Sequence, residues 1–291
     1  MTASSTPSLV LVVGATGRQG RSVVGALQQL SSPPKIRALT RNTSSAAAQK
    51  LADQGVEVVK GSLSDKASLV AALTGVNAAY LMTSEAPGKG ELPEDAHGLL
   101  FLQAALETSL PFLVFSSAAD VSPTCGVPHF ETKARIEAAI KGSGIAHAIL
   151  RPFMFYDNFP RQSGVASWAA LGLLDIPLQG KKQQMVTIED IGYFAAQALS
   201  DSADYAGRTI TLAGDDLSME DIRQVYQRVE GRSVGKGWFP SWIVYLFPAK
   251  VRALMRWMEE RGSEVDIERL RKEHRGLKTF EQWLREGKKE E

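Results

Sequence analysis

The sequence predicts an α/β protein, a doubly wound parallel sheet followed by a smaller, mostly helical C-terminal lobe. Three observations predict it. The apolar run Leu9-Val10-Leu11-Val12-Val13 leads straight into a glycine-rich turn. Strand-like and helix-like segments alternate over roughly the first 150 residues. After Arg151-Pro152 that alternation gives way to mainly helical patterns.

The first run is short, valine-rich and free of polar breaks, the pattern of a strand buried on both faces of a parallel sheet. Gly14-Ala15-Thr16-Gly17-Arg18-Gln19-Gly20 follows it, and beyond them Val23, Val24, Leu27 and Leu30 recur at spacings that suit one helix face. The glycines therefore join a strand to a helix. There, the first permits a tight turn and the next lets backbone approach a pyrophosphate seated on the helix's unpaired N–H groups. The third lets the helix pack closely on the strand. Three glycines alone are also ordinary turn material, but Ile36-Arg37-Ala38-Leu39-Thr40 supplies the next strand and completes the βαβ unit that the motif requires. All seven residues, 14–20, are expected to cradle the phosphates of a dinucleotide.

The alternation continues with a helix over 44–54, a strand over 56–60, a helix over 66–73, a strand over 78–82 and a long helix over 94–108. A strand over 112–115, a helix containing 129–140 and a strand over 145–150 complete the first part. Further on, 164–178 reads as a helix and a turn, 185–188 as a short strand, 189–199 as a helix and 208–213 as a strand, with helices dominating from 218. The expected organisation is a loose tail over 1–8, a dinucleotide-binding domain over 9–151, a smaller lobe over 152–286 covering the nicotinamide and substrate side, and a solvated tail over 287–291.

Composition narrows the function classes. With 291 residues, 44% hydrophobic and 22% charged, the chain is long enough for a large core plus a smaller one. A formal net charge of +1 offers no support for a nucleic-acid surface or an anionic-membrane anchor. The single cysteine, Cys125, excludes an intrachain disulfide, and the histidines at 97, 129, 147 and 274 lack metal-ligand spacing, so no metal site is expected. The small, polar start is unlike a signal peptide, and the apolar stretch at 242–247 is too short to span a bilayer. A cytoplasmic location is expected.

The residue after the second strand decides between the nicotinamide cofactors, because a carboxylate there binds a ribose 2′-hydroxyl and repels a 2′-phosphate. Here the strand ends in Thr40-Arg41-Asn42, with no acid before Asp53. The guanidinium fork of Arg41 suits a phosphate dianion, and NADP(H) is expected over NAD(H). Thr83 and Ser84, directly after the fourth strand, are placed by topology to approach the diphosphate or a ribose.

The G-x-x-G-x-x-G spacing of 14–20 resembles the atypical, extended branch of the short-chain dehydrogenase/reductase superfamily (Rossmann fold), and within it the NmrA-like family. The likeness covers nearly the whole chain, including Phe155-Tyr156-Asp157-Asn158 and the ending Asp266 to Leu284. It implies that Phe155, Tyr156 and Asn158 pass the nicotinamide ring. It also implies an adenine contact after the third strand, where the family carries Gly-Asp-x-x-Asp; this sequence has Gly61-Ser62-Leu63-Ser64-Asp65, so Ser62 offers a hydroxyl in place of a carboxylate and Asp65 reads foremost as a helix N-cap.

For chemistry, the resemblance points to His129-Phe130-Glu131-Thr132-Lys133. Related short-chain dehydrogenases carry Tyr-x-x-x-Lys here, the tyrosine donating a proton and the lysine holding the nicotinamide ribose. His129 replaces the tyrosine and Lys133 is kept, on one helix face. The candidate catalytic residues are Lys133, His129 and Tyr156. Against these, His129 also reads as a helix residue with no role and Tyr156 as an aromatic packing two lobes together. Ser116 and Ser117 end the fifth strand where the superfamily has its serine, a position that is equally turn material. The aromatic segment 238–257 reads as pocket wall, partner surface or plain core. Two functions follow: an NADPH-dependent reductase of a small carbonyl, quinone or enone, or a non-catalytic NADP(H) sensor acting through a protein partner.

Overall fold

A computed structural model of the chain describes residues 8–84, 92–162, 164–235, 239–260 and 265–287. The expected N-terminal tail, Trp238 and the end of the C-terminal tail lie outside the described residues, apart from Ser8 and Gly287.

Each apolar run identified in the first part of the chain becomes a strand, and each 3.6-residue pattern a helix. β1 (Leu9–Val13) leads into α1 (Arg18–Gln28), followed by β2 (Lys35–Thr40), α2 (Ala46–Asp53), β3 (Glu57–Lys60), α3 (Lys66–Leu73), β4 (Ala78–Met82), α4 (Glu94–Glu107), β5 (Phe112–Ser116), α5 (Pro128–Gly142) and β6 (Ala146–Pro152). Beyond come β7 (Met154–Phe155), α6 (Val165–Leu178), β8 (Gln183–Val186), α7 (Ile188–Ser200), α8 (Ser202–Tyr205), β9 (Thr209–Leu212), β10 (Asp215–Leu217), α9 (Met219–Glu230), α10 (Ala249–Glu260), α11 (Ile267–Glu273) and α12 (Phe280–Gly287).

Seven strands form one parallel sheet in the order β3-β2-β1-β4-β5-β6-β9. β1 pairs in parallel with β2 on one side (Val13 opposite Leu39) and β4 on the other (Val12 opposite Tyr80). The chain winds outward in both directions from β1, so a topological switch point lies between β1 and β4, where ligands of such sheets bind. Alternation along β1 divides its side chains between two layers. Leu11 and Val13 join a core with Leu69 and Leu73 of α3, Phe101 of α4, Phe115 of β5 and Ile136 of α5. Val10 and Val12 point to the opposite face and are also fully buried.

The chain divides into two compact units. The first comprises the described residues of Met1–Pro123 with His129–Arg151 and Ile191–Ile210; the second comprises those of Thr124–Pro128, Pro152–Asp190 and Thr211–Glu291. The change from β6 into the second unit falls at Arg151, where regular alternation fades in the sequence, but the chain then returns: α7, β9 and the segment between them contribute to the first unit. The return depends on close approach. Gly192 of α7 sits against Ser22 of α1, where a Cβ would stand 2.2 Å from the Ser22 hydroxyl and 2.7 Å from its carbonyl carbon.

The second unit has its own three-stranded sheet, β10-β8-β7, with β8 parallel to β7 and antiparallel to β10. Its aromatic core gathers around Phe280, whose ring lies 5.4 Å from Tyr156, 5.6 Å from Phe159 and 5.3 Å from Trp283. A buried aspartate ties the last helices in: Asp190 accepts from Thr187 Oγ1 at 2.7 Å and Lys278 N at 3.2 Å, with His274 Nε2 at 3.0 Å. Among the described residues no helix is long and apolar enough to cross a membrane.

The β1–α1 junction gives a direct test of packing. A Cβ at Gly20 would stand 2.2 Å from the Gly14 carbonyl oxygen, whereas one at Gly25, later in α1, would meet nothing within 4 Å. Gly20→Ala is expected to lower stability by about 1–3 kcal/mol through overpacking. Gly25→Ala should raise it by up to about 1 kcal/mol through helix propensity. Thermal unfolding of both variants beside the parent chain checks the pair.

Candidate functional site

The carboxyl ends of β1, β2, β3 and β4 open into a cleft of about 370 Å³ within the first unit. Gly14 forms its floor after β1, in the left-handed region at φ +76°, a conformation that favours glycine. The Gly17 amide donates to Gly14 O at 2.9 Å, closing the turn, and Gly17 becomes the N-cap of α1 with no side chain to cap the helix. The first amides of α1 have no intrahelical acceptor, and no acidic residue stands in its first turn. This arrangement suits a phosphate group: amides and the positive end of the helix dipole converge where Gly14 and Thr16 line the cleft.

From β2 the cleft takes Leu39, Thr40, Arg41 and Asn42, and from the start of the next helix Ser45. Ser45 caps α2 by accepting from the Ala48 amide at 3.2 Å, and Asn42 holds the turn by accepting from the Ser44 amide at 2.9 Å. Arg41 is exposed at the rim. From the end of β3 come Gly61, Ser62, Leu63 and Ser64, and from β4 and α4 come Met82, Ser84 and His97. The described residues lining the cleft include one guanidinium, one imidazole and several hydroxyls, and no aspartate or glutamate.

Ser62 lines this cleft, its hydroxyl accepting from the Ser64 amide at 3.1 Å. Asp65 does not join it: its carboxylate accepts from the amides of Ala67 and Ser68, the N-cap of α3. Sequence reasoning missed His97. It is 7% exposed, and its Nε2 lies 2.8 Å from Ser64 Oγ at the wall of the cleft. The available signal was its place one turn into the helix that follows β4, four residues before the core residue Phe101.

Thr83 and Ser84 divide. Ser84 lines the cleft, whereas the Thr83 hydroxyl is buried and donates to Glu94 Oε1 at 2.7 Å. Glu94, the first residue of α4, was also missed. Lys133 Nζ lies 2.9 Å from its Oε1, and Thr132 Oγ1 donates to its Oε2 at 2.9 Å. Burial alone would raise the Glu94 carboxyl, but the charge of Lys133 and hydrogen bonds from Lys133, Thr83 and Thr132 outweigh it and hold it below the ordinary glutamate range. His129 stands one turn before Lys133 on α5, half-buried, its ring 4.4 Å from that of Phe130.

At the end of β5, Ser116 donates to Gln19 Oε1 at 3.3 Å, which buries Gln19 against the strand. The Ser117 hydroxyl is buried and has no hydrogen-bond partner among the described residues.

Phe155, Tyr156 and Asn158 belong to the second unit. Tyr156 is fully buried, and its hydroxyl donates to Lys278 O at 3.1 Å. Burial, reinforced by Asp215 and Asp190 against Arg271, pushes its phenol far above the ordinary tyrosine range. Of the aromatic segment at 238–257, Trp257 is buried, while Trp242 is 59% exposed.

The sheet order, the switch point and the glycine-cornered helix start define a protein of the doubly wound, NAD(P)-binding class. The model of the NmrA-like family matches residues 6–284, and the chain belongs to that family, within the NAD(P)-binding oxidoreductase group. Quinone oxidoreductase 2 of Escherichia coli (strain K12) is 30% identical over 210 residues, covering 71% of this chain and 69% of that protein. Among solved structures, the triphenylmethane reductase of Citrobacter sp., in complex with NADP(H), matches with a TM-score of 0.75 at 21% identity, covering 95% of this chain and 99% of that one. NmrA, a negative transcriptional regulator, matches with a TM-score of 0.75 at 19% identity, covering 96% and 95%. At these identities the two structures show the fold.

The Tyr156 geometry carries a test. Tyr156→Phe removes one hydrogen bond and leaves the Lys278 carbonyl without that donor, a cost of about 1 kcal/mol in stability. NADPH affinity and any turnover should be unchanged, as fluorescence titration and thermal unfolding would read; loss of turnover at unchanged stability would return Tyr156 to the proton donors.

Proposed function

We propose that this protein is an NADPH-dependent reductase of a small carbonyl, quinone or enone compound. The observation that carries the cofactor choice is the cleft itself: a glycine-cornered helix start at one end, Arg41 at the rim and no carboxylate among the described lining residues. A 2′-phosphate there meets a guanidinium and finds no like charge, whereas the acid that would hold a 2′-hydroxyl is absent from the lining residues. The described residues fit the cofactor. Residues 14–20 would take the pyrophosphate, Arg41 the 2′-phosphate, and Ser62 the neighbourhood of the adenine, with Thr83, Ser84 and Lys133 toward the second ribose. Phe155 and Asn158 are assigned to the nicotinamide side from the family pattern.

When bound, NADPH supplies a hydride. Reduction then needs a proton for the substrate oxygen. His129 is the donor in this reading, since an imidazolium with a reference pKa of about 6.5 is a competent acid near neutrality. Lys133, on the same face of α5, holds the ribose. The E. coli quinone oxidoreductase and the triphenylmethane reductase support reductive chemistry on a small molecule.

Arg41→Ala is expected to weaken NADPH binding by about tenfold or more, the worth of a charge-assisted contact, with NADH binding nearly unchanged. Equal losses for both cofactors would remove Arg41 from the 2′-phosphate. Turnover is tested by loss of NADPH absorbance with a panel of quinones, enones, aldehydes and ketones. Lys133→Ala should lower kcat/KM by about a hundredfold, and His129→Phe should lower kcat and abolish its dependence on an acid. NADPH binding with no turnover across the panel would favour a sensor working through a protein partner. The fold match to a transcriptional regulator supports that second reading, as does the buried, committed Tyr156 hydroxyl.

A further inference from the structure

Lys133 does not stand at the site as an independent cation. Its side chain is 13% exposed, and its ammonium lies 2.9 Å from an oxygen of Glu94, whose own side chain is 2% exposed. Thr83 O and Oγ1 are more distant, each at 3.5 Å, and the Phe115 ring centroid is 5.7 Å away. The ammonium carries three N–H donors, and Glu94 engages one of them at close range. Glu94 is itself held from two other directions, by Thr83 at the end of β4 and Thr132 on α5. Thr83 lies between Met82 and Ser84, which both line the cleft, and although Thr83 and Lys133 are not themselves lining residues, this tie holds the ammonium at the end of β4.

We propose that Glu94 is a positioning residue of the cofactor site, its buried carboxylate holding Lys133 as a charged donor at the end of β4. The part of this proposal that concerns cofactor rests on the reading of Lys133 as the ribose-holding lysine; the part that concerns Lys133 itself does not. Other charges around the pair are committed elsewhere. Asp95, beside Glu94 on α4, pairs with Arg135 at 2.8 Å. Glu137, one turn after Lys133 on α5, is engaged by Arg151 Nε at 2.9 Å and lies 3.5 Å from Lys141 Nζ. His129, one turn before Lys133, adds no negative charge. Among the described residues Glu94 thus supplies the close counter-charge, and a lysine so buried without one gives up its proton more readily.

The test titrates Lys133 directly. Glu94→Gln keeps the side-chain length and one acceptor oxygen, for Thr83, and removes the charge; its amide nitrogen would donate to the Thr132 hydroxyl, which can then donate to the His129 carbonyl at 2.9 Å. The rate at which Lys133 is acylated, read by peptide mass spectrometry against pH, gives its titration midpoint in the protein without cofactor. That midpoint should fall by about one to two units in Glu94→Gln. Glu94→Asp, which draws the carboxylate back by one methylene, should shift it the same way by less, and stands in if the glutamine variant does not fold. An unchanged midpoint in the variant that folds overturns the proposal.

NADPH titration supplies the second reading. The pH at which affinity begins to fall as pH rises should be lower in Glu94→Gln than in the parent. Adding Lys133→Met should abolish that fall, an outcome that a merely structural role for Glu94 would not produce; persistence of the fall in the double variant overturns the link to the site. A parent chain that fails to bind NADPH overturns the proposed function, while the acylation result still decides the Glu94–Lys133 pairing.

Discussion

The close packing of α1 on the end of β1 is the constraint on which the rest of the site depends. Gly20 presses on the carbonyl of Gly14, and Gly14 turns through a backbone conformation that other residues seldom adopt. Together they fix where α1 begins. Its first amides and the positive end of its dipole are therefore aimed by main-chain geometry rather than by side chains, into a cleft set by the strand order. From there the sheet places the other parts: β2 delivers Arg41, β3 delivers the Ser62–Ser64 turn, and β4 delivers Met82, Thr83 and Ser84. Moving α1 outward by even the radius of a methyl group would misplace the amides relative to all of them.

A second constraint is polar and operates beside the cleft. Glu94, Lys133, Thr83 and Thr132 come from α4, α5 and the end of β4, and their hydrogen bonds pin three elements at one point. Taking two charges out of water is costly, and such a pair is weak evidence for stability in itself. Its geometry is the more telling property. The carboxylate has acceptor sites for all three donors, and it stands at the first residue of α4, where a negative charge also complements the helix dipole. The same carboxylate that neutralises the lysine thus marks where α4 starts.

The first part of the chain was legible because local and global preferences agree there. Buried parallel strands are short apolar runs, helices carry one apolar face, and glycines mark the strand–helix corner, so the element order and the glycine-cornered start of α1 could be read directly. The second half was harder for three reasons. β7 and β10 span Met154–Phe155 and Asp215–Leu217, too short for any periodicity to register. The return of α7 to the first unit depends on a glycine contact between residues distant in sequence, Gly192 and Ser22. Tyr156 matched a family pattern, but only its surroundings, Phe280, Trp283 and the Lys278 carbonyl, revealed that its hydroxyl is buried and hydrogen-bonded within the second unit. Glu94 and His97 escaped notice because a glutamate opening a helix reads first as dipole complement, and a histidine within one as ordinary surface; burial distinguishes them, and burial is a tertiary fact.

The Ser62–Ser64 side of the cleft follows from the same substitutions that blur the family pattern. A carboxylate at position 62 would repel a phosphate and would need a donor to satisfy it in a half-buried turn. Ser62 needs neither, since its hydroxyl is met by the Ser64 amide, and Ser64 in turn meets His97. Two hydroxyls that can donate or accept, the second meeting an imidazole, stand where the family pattern has a fixed negative charge. With Arg41 at the rim, the described lining residues carry one guanidinium, and acids are missing from both sequence positions where a dinucleotide fold commonly carries them. Specificity for a phosphorylated ribose would then arise as much from the removal of repulsion as from the attraction of the guanidinium.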